Sequence, residues 1–271
     1  MLTIVGTGIK RPQQLTLEGV TAIKNAKRVL HITASEQAID ALLDGLGAAN
    51  RRSLEQLYRV GTLDQDNYER LAREVVLEVE RWDDVALLLY GHPRLGVSVT
   101  RLIEEKLPGR VLVLPATSSF DTMINDLRRD PLERGSVLLD ATRLLLFQFT
   151  LEPCLDHYIY HVDSVASRVL SNAGGNGSRC DLLRDYLLKF YPAQHKVKLI
   201  GSDSGQGEKP VMMELELGQL EAAADWMAIG VSLFVPALRP KKIDREVYAL
   251  LQGSTPTSPV QEAAPTAATL S

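Results

Sequence analysis

Three short stretches place polar or reactive groups at the ends of apolar runs. The first runs from Val85 to Leu89 and stops at Tyr90-Gly91-His92-Pro93. Pro93 cannot donate to a β-ladder, and Gly91 permits a turn that other residues resist. A buried strand there would deliver an aromatic ring, an imidazole and open backbone groups to its carboxyl end. In open α/β sheets that end is where ligands bind. An ordinary strand-loop-helix link with an incidental Tyr90 and His92 has the same spacing, and both readings stand. In the second stretch, Leu2 to Val5 runs into Gly6-Thr7-Gly8, which resembles a phosphate-binding turn. Arg11 occupies the place of a third glycine, Pro12 follows, and no convincing acidic partner lies about twenty residues on, so a dinucleotide site is discounted. The glycines still let backbone come close to a ligand or to a neighbouring strand. In the third, Arg110 to Leu114 leads into Pro115-Ala116-Thr117-Ser118-Ser119, whose hydroxyls could meet a polar ligand or cap the helix that follows.

A sheet must hold these ends together. Thr16 can cap a helix that carries Ala22, Ile23 and Ala26. Arg28 to Ile32 reads as a strand and Ser35 to Leu43 as a helix, followed by a short apolar-polar segment, Leu54 to Val60, that contains Tyr58. Asn67 to Val79 is an amphipathic helix with Leu71, Val75 and Val79 on one face and Tyr68 in its first turn. Ser98 to Leu107 and Phe120 to Leu127 are further helices. This alternation predicts an α/β fold with a mostly parallel sheet. The second half carries strands at Ser136–Leu139, His157–Val162, Val197–Ile200, Val211–Leu217 and Val231–Val235. Helices are expected at Asp181–Phe190 and Gln219–Met227, with a Gly/Asn-rich loop at Asn172–Ser178 and a link at Gly201–Gly207. The expected organisation is an N-terminal α/β domain over 1–118 and a mixed-sheet domain over 119–252. A disordered tail of Pro, Thr, Ser and Ala over 253–271 completes it.

The chain has 271 residues, 45% of them apolar and 24% charged, as expected of a globular protein. A formal net charge of −4, with Lys and Arg scattered, argues against nucleic acid as partner. Cys154 and Cys180 form neither a metal spacing nor a disulfide framework and read as reduced thiols of a cytoplasmic protein. No apolar run approaches a membrane span. No cluster has metal-ligand spacing.

Several segments together resemble the tetrapyrrole methylase superfamily. Leu2-Thr3-Ile4-Val5-Gly6-Thr7-Gly8-Ile9, Leu15-Thr16-Leu17-Glu18 and Tyr90-Gly91-His92-Pro93 carry that likeness. It implies a two-domain S-adenosylmethionine-dependent methyltransferase with the cofactor in the cleft between domains. Other segments narrow the likeness to the borosin peptide α-N-methyltransferases. These are Leu57-Tyr58, Asn67-Tyr68-Glu69, Asp126-Leu127-Arg128-Arg129-Asp130-Pro131, Asp140-Ala141-Thr142 and Ser232-Leu233-Phe234-Val235-Pro236. That resemblance implies methylation of backbone amides of a ribosomal peptide by a homodimer. The chain stops soon after the matching region, so a separate precursor peptide is expected rather than a fused one.

By resemblance, Gly6, Gly8, Tyr90, His92, Leu95, Ser118, His161, Gly201 and Ser232 would contact S-adenosylmethionine, and Tyr58, Tyr68 and Tyr90 would serve the chemistry. An amide nitrogen is a poor nucleophile because its lone pair is delocalised into the carbonyl. Its methylation needs a base near the nitrogen and donors near the oxygen. A phenol can donate; as a base it would need nearby positive charge. The borosin pattern has an arginine four residues before the helix tyrosine, and here that position is Asp64. An anion there raises a tyrosine pKa. Arg59, beside Tyr58, is the substitute cation in this reading. His161 stands where the pattern has glutamine. Two other readings remain open: a methyltransferase of the same fold acting on a small molecule, and a homologue that binds cofactor or peptide without turnover.

Overall fold

The computed structural model describes residues 1–10, 12–33, 36–167, 169, 179–202, 211–226, 230–238 and 242–252. The expected loop at 172–178, part of the link after Gly201 and the tail at 253–271 lie outside them. Two compact units divide the chain, Met1–Leu238 and Arg239–Ser271. Described residues of the second hold one short helix, Arg245–Leu251, whose amino end is capped by Asp244.

The first unit begins with β1 (Leu2–Gly6), α1 (Leu17–Asn25), β2 (Arg28–Ile32), α2 (Glu36–Gly45) and β3 (Arg51–Ser53). It continues with α3 (Asp64–Arg81), β4 (Val85–Leu89), α4 (Ser98–Lys106) and β5 (Val111–Val113). The five strands form one sheet in the order β3-β2-β4-β1-β5, with every pair parallel. All five residues of β4 are buried. Leu87 and Leu89 pack with Leu71, Val75 and Ile103 on one face, while Ala86 and Leu88 pack with Ile23, Ile39 and Leu43 on the other. Two covered faces account for a strand written as an unbroken apolar run.

Strand β3 departs from expectation, because the apolar-polar segment begins only at Leu54. Arg51-Arg52-Ser53 carries no apolar pattern. It is an edge strand whose side chains are neutralised instead of buried in oil. Arg52 pairs with Glu74 at 2.6 Å and with Glu78 at 2.7 Å, and Glu78 also pairs with Arg28 at 3.0 Å.

The second half adds α5 (Ser119–Leu127), α6 (Pro131–Arg134), β6 (Ser136–Asp140), α7 (Ala141–Phe147) and β7 (Asp156–Tyr160). Then come α8 (Cys180–Leu187), β8 (Lys196–Gly201), β9 (Val211–Glu216) and β10 (Ser232–Val235). Their sheet runs β6-β7-β10-β8-β9, with β6 and β7 parallel and the other pairs antiparallel. Tyr158 and Phe234 are fully buried in it, with ring centroids 5.1 Å apart. The expected helix at 219–227 is instead a run of 3₁₀ turns over Leu217–Trp226, broken at Ala223 (φ −98, ψ 15). Its small residues Ala222, Ala223 and Ala224 supply helix propensity but little side chain to anchor an α-helical face. Both cysteines are free thiols. Among the described residues no helix is long and apolar enough to cross a membrane.

Candidate functional site

Three parallel strands end at one place, and glycine lets them do so. A Cβ on Gly6 would lie 2.4 Å from the Gly91 carbonyl oxygen, 2.5 Å from Ala116 Cβ and 2.7 Å from Pro93 Cδ. Gly8 and Gly91 both take positive φ, 71 and 70, and Gly91 N–H donates to the Gly8 carbonyl at 3.1 Å. The close approach expected of Gly6 and Gly8 is therefore made to the neighbouring strand ends. Thr100 Oγ1 donates to the Pro93 carbonyl at 2.6 Å and fixes the turn into α4. His92 Nδ1 accepts the Arg94 N–H at 3.1 Å. The neutral ring must then carry its proton on Nε2, which makes Nε2 a donor.

Beyond these strand ends lies a cavity of about 580 Å³. Tyr90, His92 and Leu95 line it from the first sheet, and His161, Gly201 and Ser232 from the second. Gly6, Gly8 and Ser118 are not among its lining residues. Ser118 is spent on α5: its Oγ accepts the Asp121 N–H at 3.3 Å, while the Asp121 carboxylate accepts from Ser118 N–H at 2.6 Å. Of the two uses open to Ser118, capping is the one it makes, and its neighbour Ser119 lines the cavity. Sequence reasoning also missed Asp163 and Trp226, which share the wall. Neither belongs to a motif; Trp226 is one of only two tryptophans, and that rarity was the one signal present.

His161 directly follows β7 and has left-handed backbone, φ 58. Its Nδ1 meets Asp140 Oδ2 at 2.7 Å, and Asp140 Oδ1 also accepts the Arg143 N–H at 2.8 Å, capping α7. The bond to Asp140 pushes the imidazole above its ordinary pKa against the pull of burial. Burial opposes ionisation of Asp140, yet the bonds from His161 and Arg143 hold its carboxyl below the usual range. A Cβ on Gly96, another positive-φ residue, would stand 3.3 Å from His161 Nε2. Glycine there leaves the ring its space.

Tyr58 and Tyr68 form a separate corner, with ring centroids 6.0 Å apart at 74°. Tyr58 follows a short 3₁₀ turn (Glu55–Leu57), and Tyr68 begins the second turn of α3. Fully buried Asn67 holds the two segments together. Its Oδ1 accepts from the Arg59 N–H at 2.9 Å and from the Arg70 guanidinium at 2.8 Å, and its Nδ2 donates to the Arg59 carbonyl at 3.1 Å. Arg70 in turn donates to the Leu57 carbonyl at 2.7 Å. Asn67 was not singled out from sequence, since one Asn on a helix carries no periodic signal. Burial drives both phenols above their ordinary pKa; the hydrogen bond between them raises Tyr58 further and pulls Tyr68 back, and the Asp64 carboxylate raises both. Burial raises the Asp64 carboxyl, and the charge of His161 opposes that rise. Asp64 is thus electrostatically coupled both to the tyrosine pair and to His161 on the cavity wall. Arg59 is exposed, and among the described residues its guanidinium has no ion pair.

Residues 1–145 match the family described as Tetrapyrrole (Corrin/Porphyrin) Methylases. The chain belongs to that family. Tetrapyrrole methylases of known structure share its fold. A uroporphyrin-III C-methyltransferase from Thermus thermophilus superposes with a TM-score of 0.59 at 16% identity, covering 87% of this chain and 91% of that one. Another structure of that enzyme, complexed with S-adenyl homocysteine, gives 0.59 at 14% identity. Among curated relatives, a methyltransferase/ribosomally synthesized type II borosin cyclic peptide precursor of Phlebiopsis gigantea is 30% identical over 243 residues, 88% of this chain and 43% of that protein. The methyltransferase/ribosomally synthesized cyclic peptide lentinulin A precursor of Lentinula edodes is 28% identical over 272 residues, 96% of this chain and 64% of that protein. The chain therefore spans less than two thirds of the length of either relative.

Proposed function

We propose that this methylase uses S-adenosylmethionine to α-N-methylate backbone amides of a ribosomally made precursor peptide. The observation that carries the reading is one cavity lined by Tyr90, His92, Leu95, His161, Gly201 and Ser232. The similarity to borosin precursors points to a peptide as substrate.

The cavity suits the cofactor. At about 580 Å³ it lies within the range of nucleoside-sized ligand sites. Ile9, Leu95, Leu199 and Val231 offer an apolar bed for a purine. His92 Nε2–H, Ser232 and the Gly201 backbone offer polar contacts, and Asp163 an acceptor for ribose hydroxyls or an ammonium group. When bound, the cofactor supplies an electrophilic sulfonium methyl. The chain must then hold an amide so that charge can move onto its oxygen. Tyr58 and Tyr68 fit that task as donors, since burial and Asp64 keep both phenols protonated. Tyr90, on the cavity wall, would set the cofactor against the substrate. Arg59 is left outside this scheme by its exposure.

Asp64 favours one second reading, an amine-bearing small molecule whose cation would pair with the carboxylate. The test is incubation with methyl-deuterated S-adenosylmethionine and a pool of short synthetic apolar peptides, in parallel with a pool of small amines. Label in the peptides supports the proposal; label confined to the amines supports the second reading. The proposal carries with it a homodimer and a precursor supplied as a separate chain. Sedimentation of the purified protein tests the first, and label transfer to added peptide tests the second.

A further inference from the structure

We propose that His161, oriented by Asp140, is the proton acceptor of the methyl transfer, and that Tyr58 and Tyr68 act only as hydrogen-bond donors. This rests on the amide-methylation reading above.

The geometry around the ring leaves one nitrogen for the task. Nδ1 is committed to Asp140 Oδ2 at 2.7 Å, so in the neutral ring the proton lies on Nδ1 and Nε2 carries the free lone pair. His161 lines the cavity, and its side chain is 46% exposed. The ring lies against Gly96, where a Cβ would stand 3.3 Å from Nε2, so the absence of a side chain there gives it room. The backbone at φ 58 is left-handed, a conformation that histidine takes more readily than most residues. Asp140 orients the ring from the end of β6, its other oxygen held by the cap of α7. His92, the other imidazole on the wall, has the opposite tautomer and can only donate from Nε2.

The phenols are unsuited to take a proton. A base made of tyrosine needs a nearby cation, whereas burial and the Asp64 carboxylate raise both phenols, and the hydrogen bond from Tyr58 offsets this only in part at Tyr68. The groups facing His161 are Asp140 from β6, Arg143 from the first turn of α7, Asp163 from the turn after β7 and Asp64 from the first turn of α3. Three of the four are acids. They favour the imidazolium and so strengthen the neutral ring as a base.

In the step, the amide N–H proton passes to His161 Nε2. The nitrogen pair forms the new N–CH₃ bond as the S–CH₃ bond breaks, and that bond's electrons stay on sulfur. Tyr68, which accepts a hydrogen bond from Tyr58, donates to the carbonyl oxygen while charge sits there. The imidazolium then releases its proton to solvent, to which its side chain is exposed.

The test combines ¹⁵N NMR of the imidazole rings with rates from pH 6 upward. The neutral His161 ring should show Nδ1–H and bare Nε2, with a pKa above that of free histidine; Asp140→Asn should lower that pKa. On the pool of apolar peptides, His161→Gln should lose about 10²- to 10⁴-fold in methylation rate. The acid limb of the pH profile should vanish in that variant and move to lower pH in Asp140→Asn. Rates should be compared at saturating S-adenosylmethionine, with calorimetry on S-adenosylhomocysteine confirming that each variant is loaded, so that a change in cofactor affinity does not enter the comparison. A proton on Nε2 of the neutral ring overturns the proposal, as does a His161→Gln protein with wild-type rate and profile. Wild-type protein that binds S-adenosylhomocysteine but labels no peptide amide would remove the underlying reading and this proposal with it.

Discussion

The two sheets build opposite walls of one cavity by different means. The first contributes backbone geometry: Gly6, Gly8 and Gly91 bring β1, β4 and the turn after β5 within van der Waals contact, and only then can Tyr90 and His92 reach the cavity. The second contributes side chains at strand ends, with His161 held by Asp140 and Ser232 at the start of β10. Their glycines show the contrast. Gly6 has no room for a methyl group, whereas a Cβ on Gly201 would find its nearest neighbour, Val231 Cγ2, at an ordinary 3.6 Å. A wall made of backbone tolerates little substitution, while a wall made of side chains can change its chemistry without losing its fold.

At the first sheet the buried carboxylate of Glu78 should be the most costly single loss. Glu78 is 3% exposed and pairs with both Arg28 and Arg52. Glu78→Ala should cost about 3–5 kcal/mol in urea unfolding, because two arginines lose their buried partner. Burial opposes ionisation of Glu78, but Arg52 and Arg28 hold its carboxyl below the ordinary value. Its contribution is therefore present above the usual glutamate pKa of about 4.3 and fades as pH falls through the lower folded value. The His161–Asp140 pair has a further pH sense of its own. The imidazole's raised pKa makes its share complete below the ordinary histidine value of about 6.5 and lost as pH rises through the folded one. Unfolding curves of Glu78→Gln and His161→Gln should accordingly diverge from wild type at neutral pH, with the first converging towards acid and the second towards alkali.

Gly6→Ala should cost about 1–3 kcal/mol and abolish S-adenosylhomocysteine binding, since the strand ends must part to admit the methyl. Asn67→Ala should cost about 1–3 kcal/mol, because the Arg59 backbone and Arg70 lose their buried partner. It should depress methyl transfer much more than cofactor affinity, which calorimetry beside a rate assay will resolve. Ser118→Ala should remove a helix cap worth about 1 kcal/mol by thermal melting and leave cofactor affinity unchanged. Gly201→Ala should move stability by less than about 0.5 kcal/mol, the smallest effect of the series. A Gly201→Ala protein as damaged as Gly6→Ala would break the comparison.

The parts legible in the sequence are those where one physical demand dominates. A strand covered on both faces must be apolar throughout, so Val85–Leu89 was readable, and its Gly-His-Pro ending marked the first wall. The mixed second sheet was also readable, because its strands are short apolar runs between turn residues. Strand β3 was hidden because ion pairs, not apolar burial, stabilise an edge strand made of Arg51-Arg52-Ser53. The competing uses of Ser118 could not be separated until Asp121 was seen closing the capping box. The resemblance marked His161 and Asp64 separately, but nothing local connects them. The tautomer that Asp140 imposes, and the effect of the His161 charge on Asp64, arise only from the folded arrangement.

Tandem mass spectrometry tests the central claim most directly. Purified protein would be incubated with methyl-deuterated S-adenosylmethionine and the pool of short apolar peptides, and the products fragmented to locate each label. The account predicts deuterated methyl groups on backbone nitrogens, absent when the cofactor is withheld. Cofactor bound in the same sample, with label on no backbone nitrogen, would contradict it.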